Sequence, residues 1–519
     1  MASTFTEKPF RNFDIPGLLL AAFAGFTLGT VVVLASGNGK KWLLALIAAY
    51  FVIGASVFFK DYRAFGVWLV TVCIPLGIQY RLQKGGLQNV FVTHFGGAPD
   101  VPLVNLVDFP ILALIGLWIF DLILSRRKIP KWTRFDTSIV AFFSLSLLSL
   151  YNTHEYALFA YEVARYIKYY LLYWVLRTYI QESIHYWGIF AVALFALGIN
   201  GIVAMAQYFF FFQLPVVVGG VREAHFDMVG GEVLQRVTGV LGHCNTFAAY
   251  LVASLSSALI LFSSRIRRRW KVLIIPVFLF GCIAIVMTYS RNGWLSLVVC
   301  TVIILGLAIR TGRVSRLAVT SILISAIFVI GMIFGFGLDN EIGFLDRNQS
   351  QGSIIGLSRN AFIRVFEDDK KALEGRWDLI LVSTEMIKEH PIIGIGLNSF
   401  EENMASYDRI GITNVIQQPV HNAFVLVAAE TGIPSMIAFL AAGIAILRRS
   451  LALARGKEEL DYVLGAFGFC TFIGLGFSNL FDATIRKEPI LGMMVLVAAM
   501  VMARSVPGSS GDQALGSGQ

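Results

Sequence analysis

The sequence predicts an all-α, polytopic membrane bundle of about twelve to fourteen crossing helices with one large loop outside the bilayer. Three observations carry that expectation. Apolar residues make up 56% of the chain and charged residues only 14%, with a mean hydropathy of +0.71. Apolar runs of ~20 residues recur from end to end, each long enough for one crossing. The charges gather in short clusters between those runs, so the net charge of +9 reports membrane topology and not nucleic-acid binding.

Taken in order, the runs fall near 15–36, 42–59, 64–81, 105–125, 137–152, 157–179, 187–211, 245–264, 272–289, 292–309, 317–337, 421–446, 461–480 and 488–503. The run from Ile15 is too long for a signal-peptide core and is expected to stay as the first span. The chain divides into helices over 1–337, a polar loop over 338–420, further spans over 421–504, and a Gly/Ser-rich tail over 505–519 that has no apolar anchor. No internal repeat is visible. Cys73, Cys244, Cys282, Cys300 and Cys470 are scattered without a C-x-x-C pair, and are expected to behave as small buried hydrophobes.

Lys and Arg concentrate in short cytoplasmic loops. Arg126, Arg127, Lys128, Lys131 and Arg134 form one cluster, and Arg265, Arg267, Arg268, Arg269 and Lys271 a second. Arg310, Arg313 and Arg316 form a third, and Arg448, Arg449, Arg455 and Lys457 a fourth. The span list puts all four on one side, with both termini. Lys40-Lys41 and Arg486-Lys487 are the exceptions and land outside. The long loops 82–104, 212–244 and 338–420 fall on the outer side, which points to work done there.

Within the largest loop, Leu379, Ile380, Val382, Met386 and Ile387 are spaced mostly for one face of a helix over 378–389. Gly375-Arg376-Trp377 precedes it, His390-Pro391 ends it and Gly394-Ile395-Gly396 reads as a turn. The expected helix lies on the membrane surface, either as a cap on the bundle or as part of a working site, and irregular chain follows it to His421.

His421 opens the next span at the outer interface, where imidazole suits a general base near neutral pH; a solvated interfacial histidine fits the position equally. Asn422 follows it directly. Glu430 lies nine residues on, ~13 Å deeper along a continuous helix. A charge inside a span costs ~2.5–3.5 kcal/mol on insertion scales, so Glu430 needs a polar cavity or a basic partner.

Arginines recur at the same outer level: Arg222, Arg236, Arg291 in the tight link Thr288-Tyr289-Ser290-Arg291-Asn292-Gly293, and Arg376. Together their forks suit a doubly charged, multi-oxygen anion, since they pair with phosphate bidentately; singly each is an ordinary surface charge. Tyr161, Glu162, Arg165, Lys168 and Tyr169 share one face of the sixth span. That face must turn into the bundle, as a structural ion pair or as the wall of a polar cavity. There is no H-E-x-x-H and no P-loop, and the acid run Glu367-Asp368-Asp369 abuts Lys370-Lys371 as a solvated face does. No metal and no cofactor are expected.

The ordered set Arg236, Gly239 and Asn245; Ser290, Arg291 and Gly293; Gly375, Arg376, Trp377, His390, Pro391, Gly394 and Gly396; then His421, Asn422, Glu430 and Gly432 resembles the O-antigen ligase and Wzy-type polymerase family over roughly 236–440. The resemblance implies a GT-C-like glycosyltransferase of the bacterial inner membrane with its large loop in the periplasm. It implies transfer of a glycan from undecaprenyl pyrophosphate to an acceptor hydroxyl, on another glycan or on lipid A core, without metal. In that reading Arg236, Arg291, Arg376 and Arg222 face the diphosphate, His421 serves as base, and Glu162, Arg165, Lys168, Asn422 and Glu430 line the cavity. Ile433-Pro434 departs from the family pattern after Gly432, and the extra spans leave ligase and polymerase both open. The rival function is a membrane transporter of an anion or lipid-linked saccharide, for which the charged seam of the sixth span would be a path.

Overall fold

A computed structural model describes residues 61–77, 79–81, 103–210, 217–218, 225–229, 232–313, 370–409, 411–412 and 418–505. Among them are α1 Tyr62–Cys73, α2 Asp108–Ile123, α3 Arg134–Leu148, α4 Tyr156–Tyr179, α5 Ser183–Phe210, α6 Cys244–Ser263 and α7 Arg268–Met287. There follow α8 Arg291–Arg310, α9 Lys370–Glu389, α10 Phe400–Tyr407, α11 Ala423–Thr431, α12 Ile433–Ala454, α13 Glu459–Ser478 and α14 Glu488–Ala503. The predicted spans at 15–36, 42–59 and 317–337 and the tail lie outside the described residues, as do Lys40-Lys41, Arg222 and the run Glu367-Asp368-Asp369.

The all-α class holds. Seven of the described helical segments are long and apolar enough to cross a membrane: Arg134–Asn152, α5, α6, α7, α8, α12 and α13. The described strands are short. β1 (Gln79–Arg81) pairs antiparallel with β2 (Leu103–Asn105) in the register Tyr80↔Val104, and parallel with β3 (Val217–Val218). β4 (His225–Val229) and β5 (Glu232–Arg236) form a hairpin with Asp227 opposite Leu234. All five fall in or beside the loops the hydropathy placed at 82–104 and 212–244.

α6 runs through the centre, buried along its whole length. Its composition explains why: Ala248, Ala249, Ala253, Ser254, Ser256, Ser257 and Ala258 keep its surface thin enough for close neighbours. Ser256 Oγ, Ser257 Oγ and Ser263 Oγ are satisfied within the helix, as where Ser256 Oγ donates to Val252 O at 2.7 Å. α7, α8 and α13 pack around it. All five cysteines are free and buried in the bundle.

The arginine-rich end of the bundle is held by carboxylates that hydropathy hides. Arg63 forks onto Asp121 with two 2.7 Å bonds. Arg177 reaches Asp136 at 3.1 Å, and Arg504 reaches Asp461 at 2.6 Å. Arg313 pairs with Glu459.

The predicted span 421–446 is two helices. α11 stops at Thr431 and α12 starts at Ile433, with Pro434 in its first turn. Gly432 between them has φ +86°, and a Cβ there would stand 2.0 Å from Ile392 O. Ile-Pro after glycine is thus a helix start, since proline has no N–H to lose at that position. Gly394, φ +69°, lies equally close to the other side of α11: a Cβ would come within 2.3 Å of the Glu430 carbonyl carbon. The turn predicted at 394–396 is the docking surface for α11, through Ile395 N→Ala429 O and Gly396 N→Glu430 O, each 3.0 Å.

α9 fits the cap reading of the expected helix. Its face of Leu379, Val382 and Met386 is covered by protein, in a small core shared with Phe400, Met404, Leu426 and Ala429. The chain after it is not wholly irregular, because α10 forms over 400–407. Helices α9, α10 and α11 thus form a cap with its own core.

Gly432→Ala is expected to destabilise the protein by roughly 2 kcal/mol or more, because both the left-handed backbone and the contact with Ile392 resist a side chain. Gly443→Ala is the control: a Cβ there meets nothing within 4 Å. Thermal unfolding in detergent should show a lower Tm for the first variant and no loss for the second.

Candidate functional site

The link between α13 and α14, Asn479–Lys487, holds the cap to the bundle. It is folded on itself: Asn479 Oδ1 accepts from Ile485 N at 3.0 Å, and Thr484–Arg486 make a turn of 3-10 helix. Around it the neighbouring elements attach in sequence. Asn292 of α8 donates to Ser478 O at 2.8 Å. Ala423 N donates to Asn479 O at 2.9 Å and Asn422 Nδ2 to Leu480 O at 3.1 Å.

Asn422 has a second task. Its Oδ1 accepts from Phe424 N and Val425 N, each at 3.0 Å, and so caps α11. His421 is therefore fixed one residue before a capped helix start. Its Nδ1 stands 3.5 Å from Asp482 Oδ1, with the imidazole 22% exposed and the carboxylate 15% exposed. That distance is longer than a full hydrogen bond and is common for catalytic pairs before substrate arrives. Burial opposes ionisation of Asp482, yet the bond and charge of His421, with His243 beyond it, hold its carboxyl well below the usual carboxylate range.

Asp482 joins His421 to the arginines. Its Oδ2 accepts from Asn245 Nδ2 at 2.9 Å, and Asn245 Oδ1 accepts from Arg236 Nη2 at 2.8 Å. Arg236 Nε donates to Thr288 O at 2.9 Å, which places the guanidinium at the start of the tight link before Arg291. That link is three residues, Thr288–Ser290, and Ser290 Oγ caps α8 by accepting from Gly293 N at 3.4 Å. His243 caps α6 in the same way, its Nδ1 accepting from Asn245 N at 3.2 Å. The contacts thus join the imidazole of His421, through Asp482 and Asn245, to the guanidinium of Arg236.

Of the residues expected at a site, the structure brings His421, Asn422 and Arg236 around this link, with Arg291 at the head of the adjoining helix. Arg376 lies half-buried on α9, and among the described residues no polar contact joins it to this network. Arg222 lies outside the described residues. Asp482 was not expected at all.

Glu430 is a correction. It does not sit inside a continuous span; it closes α11 before the break at Gly432. Its carboxylate takes both bonds from Arg486 Nη2, at 2.7 and 2.6 Å, and accepts from Phe400 N at 3.2 Å. Asp482 and Arg486 stand four residues apart in one link, yet they hold the two ends of α11. That short helix therefore lies along the link. Arg486 looked like an exception to the charge asymmetry of the loops; its charge is neutralised by Glu430.

The charged face of α4 does turn inward. Arg165 pairs with Glu162 and also donates to Arg486 O. Lys168 reaches Asp108 Oδ1 at 2.7 Å and Glu488 Oε2 at 3.1 Å, and Tyr169 bonds Glu488. These charges pair with one another, and Arg165 and Tyr169 also line an apolar groove of about 490 Å³. The ion pairing that the sequence offers for this face is present, and the groove beside it is apolar and not the polar cavity of the other reading.

A many-helix membrane bundle with a capped His–Asp pair and arginines at one end is the class of protein that fold and site define. Residues 276–440 match the family model Wzy_C, described as O-Antigen ligase. Over those residues the chain is similar to that family, and the family implies a glycosyl-transferring membrane enzyme acting on lipid-linked glycans. No curated protein matches the chain. Among the described residues, no three His, Cys, Asp or Glu side chains come together as a metal site would require.

Proposed function

We propose that the protein moves a glycan from undecaprenyl pyrophosphate to an acceptor hydroxyl at the periplasmic face of the bacterial inner membrane, with both termini in the cytoplasm. The observation that carries this is the chain of contacts from His421 through Asp482 and Asn245 to Arg236. Asp482 takes the Nδ1 proton of His421 as a hydrogen bond and so leaves Nε2 as the base. Nε2 accepts the proton of the acceptor hydroxyl as its oxygen bonds to the anomeric carbon. The bond from that carbon to the diphosphate oxygen breaks, and the diphosphate leaves with the electron pair toward Arg236 and Arg291. Arg376 and Arg222 are further candidates for the same anion. Displacement in one step inverts the anomeric centre, and the arginines supply the charge stabilisation that a divalent metal gives in other transferases.

Arg236→Lys is expected to reduce transfer by about tenfold to a hundredfold, because an ammonium cannot both reach Thr288 and Asn245 and present a planar fork. The function itself is tested with purified protein, a synthetic undecaprenyl-diphosphate oligosaccharide and either a second lipid-linked glycan or lipid A core as acceptor. Release of undecaprenyl diphosphate with extension of the first acceptor names a polymerase, and with transfer to the second a ligase. An intact donor with both acceptors, together with passage of the donor across liposomes, would replace this reading with a transporter.

A further inference from the structure

The groove of about 490 Å³ beside α4 runs between α3, α4, α11, α12, α13 and α14. Its upper end is continuous with the candidate site: Ala423 and Phe424, which follow Asn422, and Asn479 and Leu480, which hold it, all contribute to its wall. Arg165, Arg486 and Glu430, the last two paired, supply the polar corner; Arg165 is only 7% exposed and its Nε has no hydrogen-bond partner. Elsewhere the wall is aromatic and aliphatic. Leu440, Ile444 and Leu480 line it while remaining 38%, 48% and 45% exposed, so it opens sideways where the bundle would meet hydrocarbon.

Two glycines keep it open. Gly476 on α13 and Gly443 on α12 both line the groove, and a Cβ on either would meet nothing within 4 Å. Both sit inside regular helices, where glycine is a poor helix former, so neither is explained by backbone shape. Gly476 lies two residues from the end of α13, beside the site, whereas Gly443 lies ten residues into α12. The latter is roughly 15 Å along the helix axis from Ile433. The groove thus has a shallow station and a deep one.

Resting on the proposed function, we infer that the groove takes the isoprenoid chain of the donor and that Gly476 and Gly443 set how much chain enters. The enzyme then discriminates between donors by prenyl chain length as well as by glycan. The diphosphate belongs at the upper end by the arginines, and the chain descends past Gly476 and then Gly443.

The test uses full-length protein in nanodiscs with one oligosaccharide carried on undecaprenyl or on farnesyl diphosphate. Wild type should show a KM for the undecaprenyl donor about tenfold or more below that for the farnesyl donor. Gly443→Leu should raise the undecaprenyl KM about tenfold and the farnesyl KM far less, and so erase the preference. Gly476→Leu should raise both. Leucine favours the helix at each position, and unchanged or higher Tm confirms that the variants fold. Equal effects of Gly443→Leu on both donors, or wild-type indifference to chain length, would overturn the inference. If wild type transfers from neither donor, the proposed function fails, and the groove is then read directly with a diazirine-bearing undecaprenyl phosphate. Photolabel on α12 and α13 that Gly476→Leu removes sustains the lipid site; label elsewhere sinks it.

Discussion

His421→Ala is expected to lower glycan transfer by about a hundredfold to ten-thousandfold, the range for loss of a positioned general base. Asp482→Asn should fall in the same range, since an amide can offer its N–H to Nδ1 and so place the proton on the nitrogen that must act as base. The loss should lie in kcat, with KM for the donor little changed, because neither side chain is needed to bind the lipid diphosphate. Combined, the two changes should cost little more than either alone, as expected for residues that act as one unit. Additive losses would separate them. The pair also predicts an acid dependence. The carboxyl of Asp482 is held low in the folded protein, so its contribution to stability is complete above the unfolded pKa of about 3.9 and is lost as pH falls below that value. Asp482→Asn should remove that part of the acid destabilisation and leave the neutral range flat, as read by Tm against pH.

Breaking the pair of Glu430 and Arg486 is expected to have the largest effect on stability, about 3–5 kcal/mol for Arg486→Met or Glu430→Gln alone. Their side chains are 12% and 3% exposed, and removing one partner strands a buried charge. The double change, Glu430→Met with Arg486→Met, should recover much of the loss, because two apolar side chains leave no charge without a partner. Thermal unfolding of the four proteins reads this directly. Because this pair anchors the far end of α11, the single variants should also release the end that bears His421, and activity should fall with stability. Singles that melt with wild type would show that the pair does not hold α11.

Much of the bundle was legible because hydropathy and length decide where a chain crosses a membrane, and the described helices α2 to α8, α13 and α14 start or stop near the predicted ends, whereas α12 does not. The arginine-rich clusters were equally visible. The break at Gly432 was readable in principle: glycine followed by Ile-Pro is the end of one helix and the first turn of the next. The apolar run across it concealed the signal, and with it the true position of Glu430.

Asp482 was not legible for a different reason. It is a lone acid in a short link between two apolar runs, and its partner is 61 residues earlier in the chain. Only the fold of Asn479–Lys487 brings the two together. The one clue was Arg486, a cation that breaks the charge asymmetry expected of the loops, which marked that link as holding buried partners. The arginines were legible as a set but not as an arrangement: Arg236 joins the network through Asn245, while Arg376 stands on α9 apart from it.

The most direct test of the account is transfer of oligosaccharide from a synthetic undecaprenyl-diphosphate donor by purified protein, with chelator present, for wild type and His421→Ala. The account predicts that wild type releases undecaprenyl diphosphate and places the glycan, inverted at its anomeric carbon, on the acceptor, while folded His421→Ala does so at least about a hundredfold more slowly. Equal rates for the two proteins would contradict the assignment of His421 as the base.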